Sequence, residues 1–256
     1  MSRSFSKYLP SESPATYLIL GACGLIYGIS LLLTMRIGGA PPASGSPLNM
    51  LMNLGGINPG LQIQLGASLP LPANLAQPWR FVTANFLHWN LLHIAFNMWF
   101  LVYVGPIVEE IYGSARSFFL FVVTGIGGYA LSSFLGGFSA GASAGLVGFI
   151  GVLLAVTSRR KNAGMQMLRS QVMSWIIFLV IMAFWPGMRV DNMAHLGGGI
   201  TGFILGKLMA DRQPSTTEER KRAYALAWAT AAVVLLSFGF MIFGFHSHLF
   251  LRGFRY

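Results

Sequence analysis

The chain has 256 residues, 54% of them hydrophobic and only 9% charged, with a mean hydropathy of +0.62, whereas soluble domains carry about a quarter charged residues. An ordinary water-soluble globule is excluded. The formal charge of +10 does not indicate a nucleic-acid partner, because the basic residues stand in short loops between apolar runs rather than along one helix face.

Apolar runs close to the roughly 20 residues that cross hydrocarbon as a helix predict an all-α, polytopic membrane helix bundle. The spans fall near 15–34, 87–104, 117–135, 143–157, 171–185, 191–209 and 223–245. Arg3 and Lys7 before the first span, and Pro41-Pro42-Ala43-Ser44-Gly45 after it, outline a cleavable signal. The apolar stretch from Ala15 to Leu33 is too long for that and reads as an anchor. It contains Cys23, the single cysteine, so neither a disulfide framework nor a cysteine-based metal site forms within one chain.

Segment 36–86 is a long outer connection without an internal repeat. Leu61, Ile63, Leu65, Leu69 and Leu71 make it too apolar for a solvated linker, so it is expected to fold back onto the membrane surface. A partly mobile loop is the alternative. The fourth span ends at Arg159-Arg160-Lys161 and the fifth at Trp185-Pro186-Gly187. Polar residues 210–222, with Pro214, read as a cytoplasmic linker before an added helix. The expected division is a six-helix core over 1–209, this linker, and an appended span with a short outer tail over 223–256.

A cytoplasmic N-terminus assigns twelve of the 17 Lys and Arg residues to the inner side, leaving Arg36, Arg80, Arg189, Arg252 and Arg255 outside. That is the positive-inside bias. The second, fourth and sixth spans then share a direction, from outside to inside.

Polar groups inside such spans are costly and need a reason. His93 and Asn97 are four apart, one turn along the same face of the second span. Ser143 heads the fourth span among small residues, where a helix start offers free N–H groups. His195 lies about 6 Å inside the head of the sixth span by the helical rise. Common direction brings all four to one depth. Gly198, Gly202 and Gly206 on the sixth span, facing Gly141, Gly145 and Gly148 on the fourth, predict backbone-to-backbone packing that brings Ser143 to His195. A serine hydroxyl with a neutral imidazole in reach forms a catalytic dyad. Asn97, His93 and the Ser143 N–H are the candidate oxyanion donors.

The remaining polar residues read structurally. Asp191 is expected to cap the sixth helix rather than orient the base. Glu109 is expected to accept structural hydrogen bonds and His88 to bond within the outer loop. Trp79 is expected to anchor the interface and Arg80 to bond loop carbonyls. His246 and His248 read as interface residues beyond the last span.

These residues resemble the rhomboid intramembrane serine proteases over roughly residues 79 to 206. Trp79-Arg80 resembles the family's Trp-Arg pair, and His93-Ile94-Ala95-Phe96-Asn97 its His-x-x-x-Asn element. Gly105-Pro106-Ile107-Val108-Glu109 resembles the end of its second helix. Gly141-Ala142-Ser143-Ala144 occupies the Gly-x-Ser-Gly position. Ala194-His195-Leu196-Gly197-Gly198, continuing to Gly202, matches Ala-His-x-x-Gly-x-x-x-Gly.

The resemblance implies an intramembrane serine endopeptidase with Ser143 as nucleophile, His195 as general base and acid, and His93 with Asn97 as oxyanion donors. It implies transmembrane protein substrates in the lipid bilayer and no metal or cofactor, leaving oligomeric state open. A bacterial inner membrane is the expected location. Ala144 stands where the family has glycine, adding a methyl expected to tighten the oxyanion region. Val147 stands where an aromatic often supports the histidine, with Phe149 or another helix expected to substitute. A catalytically weak or inactive relative that binds membrane helices is the alternative. A transporter would instead spread polar groups along several midplane helices.

Overall fold

The architecture is that of a computed structural model, which describes residues 12–39, 50–51, 53–184 and 190–247, with side chains as far as residue 244. Trp185-Pro186-Gly187, Pro41-Pro42-Ala43-Ser44-Gly45, the basic residues Arg3, Lys7, Arg189, Arg252 and Arg255, and the His246 and His248 side chains lie outside the described residues.

Among the described residues every regular element is helical. In chain order they are α1 (Pro14–Arg36), α2 (Pro59–Gln64), α3 (Leu71–Ala76), α4 (Arg80–Thr83), a 3-10 turn (Ala84–Phe86), α5 (Leu91–Tyr112), α6 (Ser114–Phe134), α7 (Ser143–Arg159), α8 (Ala163–Ala183), α9 (Asn192–Leu208) and α10 (Thr217–Ser247). Helices α1, α5, α6, α8 and α10 are long and apolar enough to cross a membrane. With α7 and α9, of 17 residues each, they account for the seven predicted spans.

Where the ends differ from expectation, caps explain it. The second span starts at Leu91 rather than 87 because the Asn90 side chain accepts the His93 N–H at 2.8 Å, leaving Leu87, His88 and Trp89 outside the helix. The fifth starts at Ala163 rather than 171, where Asn162 accepts the Met165 N–H at 2.9 Å. The polar residues Gln166, Arg169 and Ser170, read as loop, form its first turns on an exposed face. Helix α10 begins at Thr217, inside the expected linker, with Glu218 and Glu219 in its first turn, where the helix dipole favours anions.

Hydrophobicity does not drive helix association inside lipid, so close packing must. Helix α7 is central, set against α5, α6, α8 and α9, and its Leu146, Phe149, Ile150, Val152 and Leu153 are buried. Helix α1 runs antiparallel to α5. At one end the Tyr27 hydroxyl donates to the Gly55 carbonyl at 2.7 Å. At the other, Glu109 accepts the Ala15 N–H at 3.1 Å, the Thr16 N–H at 2.6 Å and the Thr16 hydroxyl at 2.5 Å. Glu109 thus satisfies the free donors at the start of α1, a structural acceptor as expected.

The described part of the outer connection is a compact set of helical turns rather than a loose loop. Ile57, Leu61, Leu65, Leu69 and Val82 bury against the bundle. Arg80 is buried beneath them, donating to the Ile63 carbonyl at 2.7 Å, the Ala67 carbonyl at 2.9 Å and the Gln77 side chain at 2.7 Å. Trp79 stacks on Phe240 of α10, ring centroids 6.1 Å apart.

Candidate active site

The seam between α7 and α9 sets the geometry. A methyl group on Gly198 would collide with the Ala144 carbonyl, one on Gly202 with the Gly148 carbonyl, and one on Gly151 with the Gly199 carbonyl. Residue numbers rise together along both helices, so the two are parallel and their backbones touch along their length. Ser143 is the first residue of α7 and His195 lies in the first turn of α9, so both sit at the same end of this seam. The glycines divide their work differently from the expected two-helix zipper. Gly145 meets the Phe121 ring and Gly148 the Thr124 side chain, both on α6, while Gly141 meets His93. Helix α6 closes the other side: a Cβ on Gly197 would lie 2.7 Å from the Gly127 carbonyl, and one on Gly128 would lie 2.8 Å from the Ala144 methyl.

His93 arrives from α5 at the same end. The space a side chain on Gly141 would fill lies 2.8 Å from His93 Cε1, 2.9 Å from His93 Nε2 and 3.7 Å from Ser143 Oγ. Gly141 has φ +151, a conformation that side chains rarely adopt, so both backbone and space require glycine there. His93 Nδ1 accepts the Trp89 N–H at 3.5 Å. That assigns the ring hydrogen to Nε2, which borders the space in front of Gly141. Asn97, one turn on, is buried and donates one Nδ2 hydrogen to the His93 carbonyl at 2.8 Å. Ser143, His93 and His195 are each half-buried while their neighbours Ala142, Ala144 and Ala194 are buried.

Asp191 is the cap the sequence predicts. Its Oδ1 accepts the Ala194 N–H at 2.9 Å and its Oδ2 the Ser132 hydroxyl at 2.5 Å. Both oxygens are thereby engaged away from the His195 ring. Among the described residues Ser143 Oγ and the His195 ring share no hydrogen bond.

The segment leading into Ser143 is held by groups distant in sequence. Ser139 pairs with Ser68 through two backbone hydrogen bonds, at 2.8 and 3.0 Å, and the Gly141 N–H donates to the Ala84 carbonyl at 2.9 Å. The Ala142 N–H donates to His88 Nε2 at 3.4 Å. His88 is thus the structural hydrogen bonder of the outer connection that was expected, buried and reaching across to the segment before Ser143, its ring edge-on to His93 with centroids 5.2 Å apart.

A family model described as Rhomboid domain matches residues 75–212. The chain belongs to the rhomboid family. It is 30% identical over 179 residues to RHOMBOID-like protein 1 of Arabidopsis thaliana, covering 62% of this chain and 46% of that protein. It is 30% identical over 178 residues to Rhomboid-like protease 1 of Toxoplasma gondii, covering 67% and 59%. With Rhomboid protease GlpG of Serratia proteamaculans (strain 568) the identity is 35% over 136 residues, covering 52% and 48%. The chain spans about half the length of these relatives.

Two features of this rhomboid differ from expectation. The Ala144 methyl points into a small buried cluster with Ala84, Tyr129 and Ala194, opposite Gly128 on α6, rather than toward His93. Phe149 does not substitute for the missing aromatic: its ring packs on Phe121, centroids 6.1 Å apart, and no ring stacks on His195 among the described residues. Val147 instead faces Gly199. Sequence reasoning also passed over Tyr129, whose hydroxyl donates to the Gly141 carbonyl at 2.5 Å. A buried hydroxyl within α6 was the signal available for it. A cavity of about 700 Å³ lined by Glu110, Gly113, Pro214 and Arg220 opens at the other end of the bundle and contains none of the predicted site residues.

Proposed function

We propose that this rhomboid is an intramembrane serine endopeptidase acting on transmembrane segments of membrane proteins. Ser143 Oγ attacks the scissile carbonyl carbon while His195 takes its proton and returns it to the leaving amine; water then releases the acyl group. The Ser143 N–H, His93 Nε2–H and Asn97 Nδ2–H stabilise the oxyanion. The observation that carries this reading is the glycine seam, which brings the heads of α7 and α9 together beside His93. The engaged Asp191 carboxylate supports a dyad rather than a triad.

In this reading the site is sunk below the outer surface. At 17 residues, α7 is about 25 Å long, short of the roughly 30 Å of hydrocarbon, and Arg159 and Arg160 fix its other end at the inner face. The N-terminus is cytoplasmic and the C-terminus outside. Residues 1–209 form the catalytic core and 210–222 the cytoplasmic linker, whose last residues already belong to α10, with the appended span and tail over 223–256. A bacterial inner membrane is not part of the proposal, since the relatives are mostly eukaryotic.

The absence of a Ser143–His195 hydrogen bond and of a ring on His195 favours one second reading, a catalytically weak rhomboid that binds membrane helices. Active sites without substrate often hold such pairs slightly apart. Reconstitution with a transmembrane substrate separates the two readings: cleavage by the wild type, abolished in Ser143→Ala and His195→Ala, supports the peptidase. Equal behaviour of all three proteins refutes it.

A further inference from the structure

Tyr129 stands on α6, fully buried, with its hydroxyl donating to the Gly141 carbonyl at 2.5 Å. The Ala84 carbonyl lies farther from the same oxygen, at 3.4 Å, so the single phenolic hydrogen belongs to Gly141. The N–H at the opposite end of that peptide, on Ala142, donates to His88 Nε2. One peptide plane is therefore gripped at both its oxygen and its hydrogen by buried side chains from two separate elements. The grip falls where it matters: Gly141 lacks a Cβ and sits at φ +151, so on the glycine side of the peptide the chain itself offers little resistance to rotation. A rotated plane would carry the carbonyl off Tyr129 and turn the next N–H, that of Ser143, away from the reacting carbonyl.

We propose that Tyr129 is a positioning residue, whose hydroxyl holds the Gly141–Ala142 peptide in the one orientation that aims the Ser143 N–H and Oγ at substrate. The role rests on the Ser143 reading above, and it predicts loss of rate rather than of substrate affinity. Tyr129 touches no substrate; it acts through the backbone of the nucleophile segment.

The test compares wild type, Ser143→Ala, Tyr129→Phe, replacement of Tyr129 by 4-aminophenylalanine, and Tyr27→Phe, all in full-length reconstituted protein. Tyr27→Phe removes a comparable hydroxyl bond, to the Gly55 carbonyl at 2.7 Å, outside the site. The expected result is a kcat about tenfold lower in Tyr129→Phe, the size of a lost bond to a buried carbonyl, with KM unchanged and a thermal midpoint lowered no more than in Tyr27→Phe. 4-Aminophenylalanine, which keeps a para donor, recovers most of the rate, and Tyr27→Phe keeps the wild-type kcat. Wild-type kcat in Tyr129→Phe overturns the positioning role while leaving the dyad intact. A fall in midpoint matching the fall in rate, without recovery by the amino analogue, overturns it in favour of plain structural support. Wild-type cleavage by Ser143→Ala overturns the dyad itself and the Tyr129 role with it.

Discussion

Gly198 of α9 lies so close to the carbonyl oxygen of Ala144 on α7 that a methyl group has no room between them. The obstacle is backbone, which cannot swing aside as a side chain would. Gly198→Ala is expected to part the two helices, lowering stability by about 1–3 kcal/mol, the usual cost of overpacking, and to slow cleavage. Gly24→Ala on α1, where an added methyl meets nothing within 4 Å, is the control and is expected to be silent. Thermal unfolding and cleavage rates measured on both variants check this. Equal behaviour of the pair would mean that the seam does not position the site.

Ala144 gives a sharper contrast, because its methyl is buried against Gly128 in the cluster with Ala84, Tyr129 and Ala194. Ala144→Gly is expected to lower stability by about 1 kcal/mol, through the lost methyl contact and the flexibility of glycine in a helix. Its cleavage rate is expected to stay within about twofold of wild type, since no contact to His93 is relieved. A large rate increase would mean that the methyl crowds the oxyanion pocket after all.

These two residues mark how far the sequence could be read. The spans, the common direction of α5, α7 and α9 and the Asp191 cap were legible because apolar length, loop charge and capping chemistry are local properties. The triangular packing of α6, α7 and α9 was not, because a glycine records that something comes close without recording what. Gly145 therefore looked like a partner of α9 when its open side faces Phe121, and Gly148, whose carbonyl does lie against Gly202, turns its open side to Thr124. The contacts of His88 and Tyr129 escaped for a related reason. His88 acts on Ala142, 54 positions away, and Tyr129 on Gly141, 12 away, and only the fold creates those contacts.

The proposed orientation has a direct check in the cysteine content. Cys23 is the single cysteine and is fully buried, so the wild type should react little with thiol reagents. Arg160→Cys and Gly60→Cys both introduce exposed thiols. In intact, outward-facing membranes an impermeant maleimide is expected to label residue 60 and to reach residue 160 only after permeabilisation. The reverse pattern would invert the topology.

A charge clasp ties the end of α7 to the segment after α9. Arg160 Nε reaches the Asp211 carboxylate at 2.8 Å and Arg159 Nη2 approaches it at 3.8 Å. Desolvation pushes the Asp211 carboxyl up, but the hydrogen bond and charge of Arg160, with Arg159 behind it, hold it below its usual value. A lowered carboxyl pKa stabilises the fold above the unfolded value, about 4, and the benefit is lost as pH falls through the folded value. The thermal midpoint of wild type is therefore expected to exceed that of Asp211→Asn at neutral pH, by no more than about 1 kcal/mol in stability for so exposed a pair. The gap closes on acidification. A gap that widened as pH fell would contradict this assignment.

The central claim is that His195 activates Ser143, and reaction with a fluorophosphonate measures it without any substrate. A single phosphonylated residue, Ser143, is expected in the wild type and none in Ser143→Ala, with labelling slowed at least about a hundredfold in His195→Ala, as loss of a general base requires. Labelling of Ser143 at the same rate with and without the His195 imidazole would contradict it.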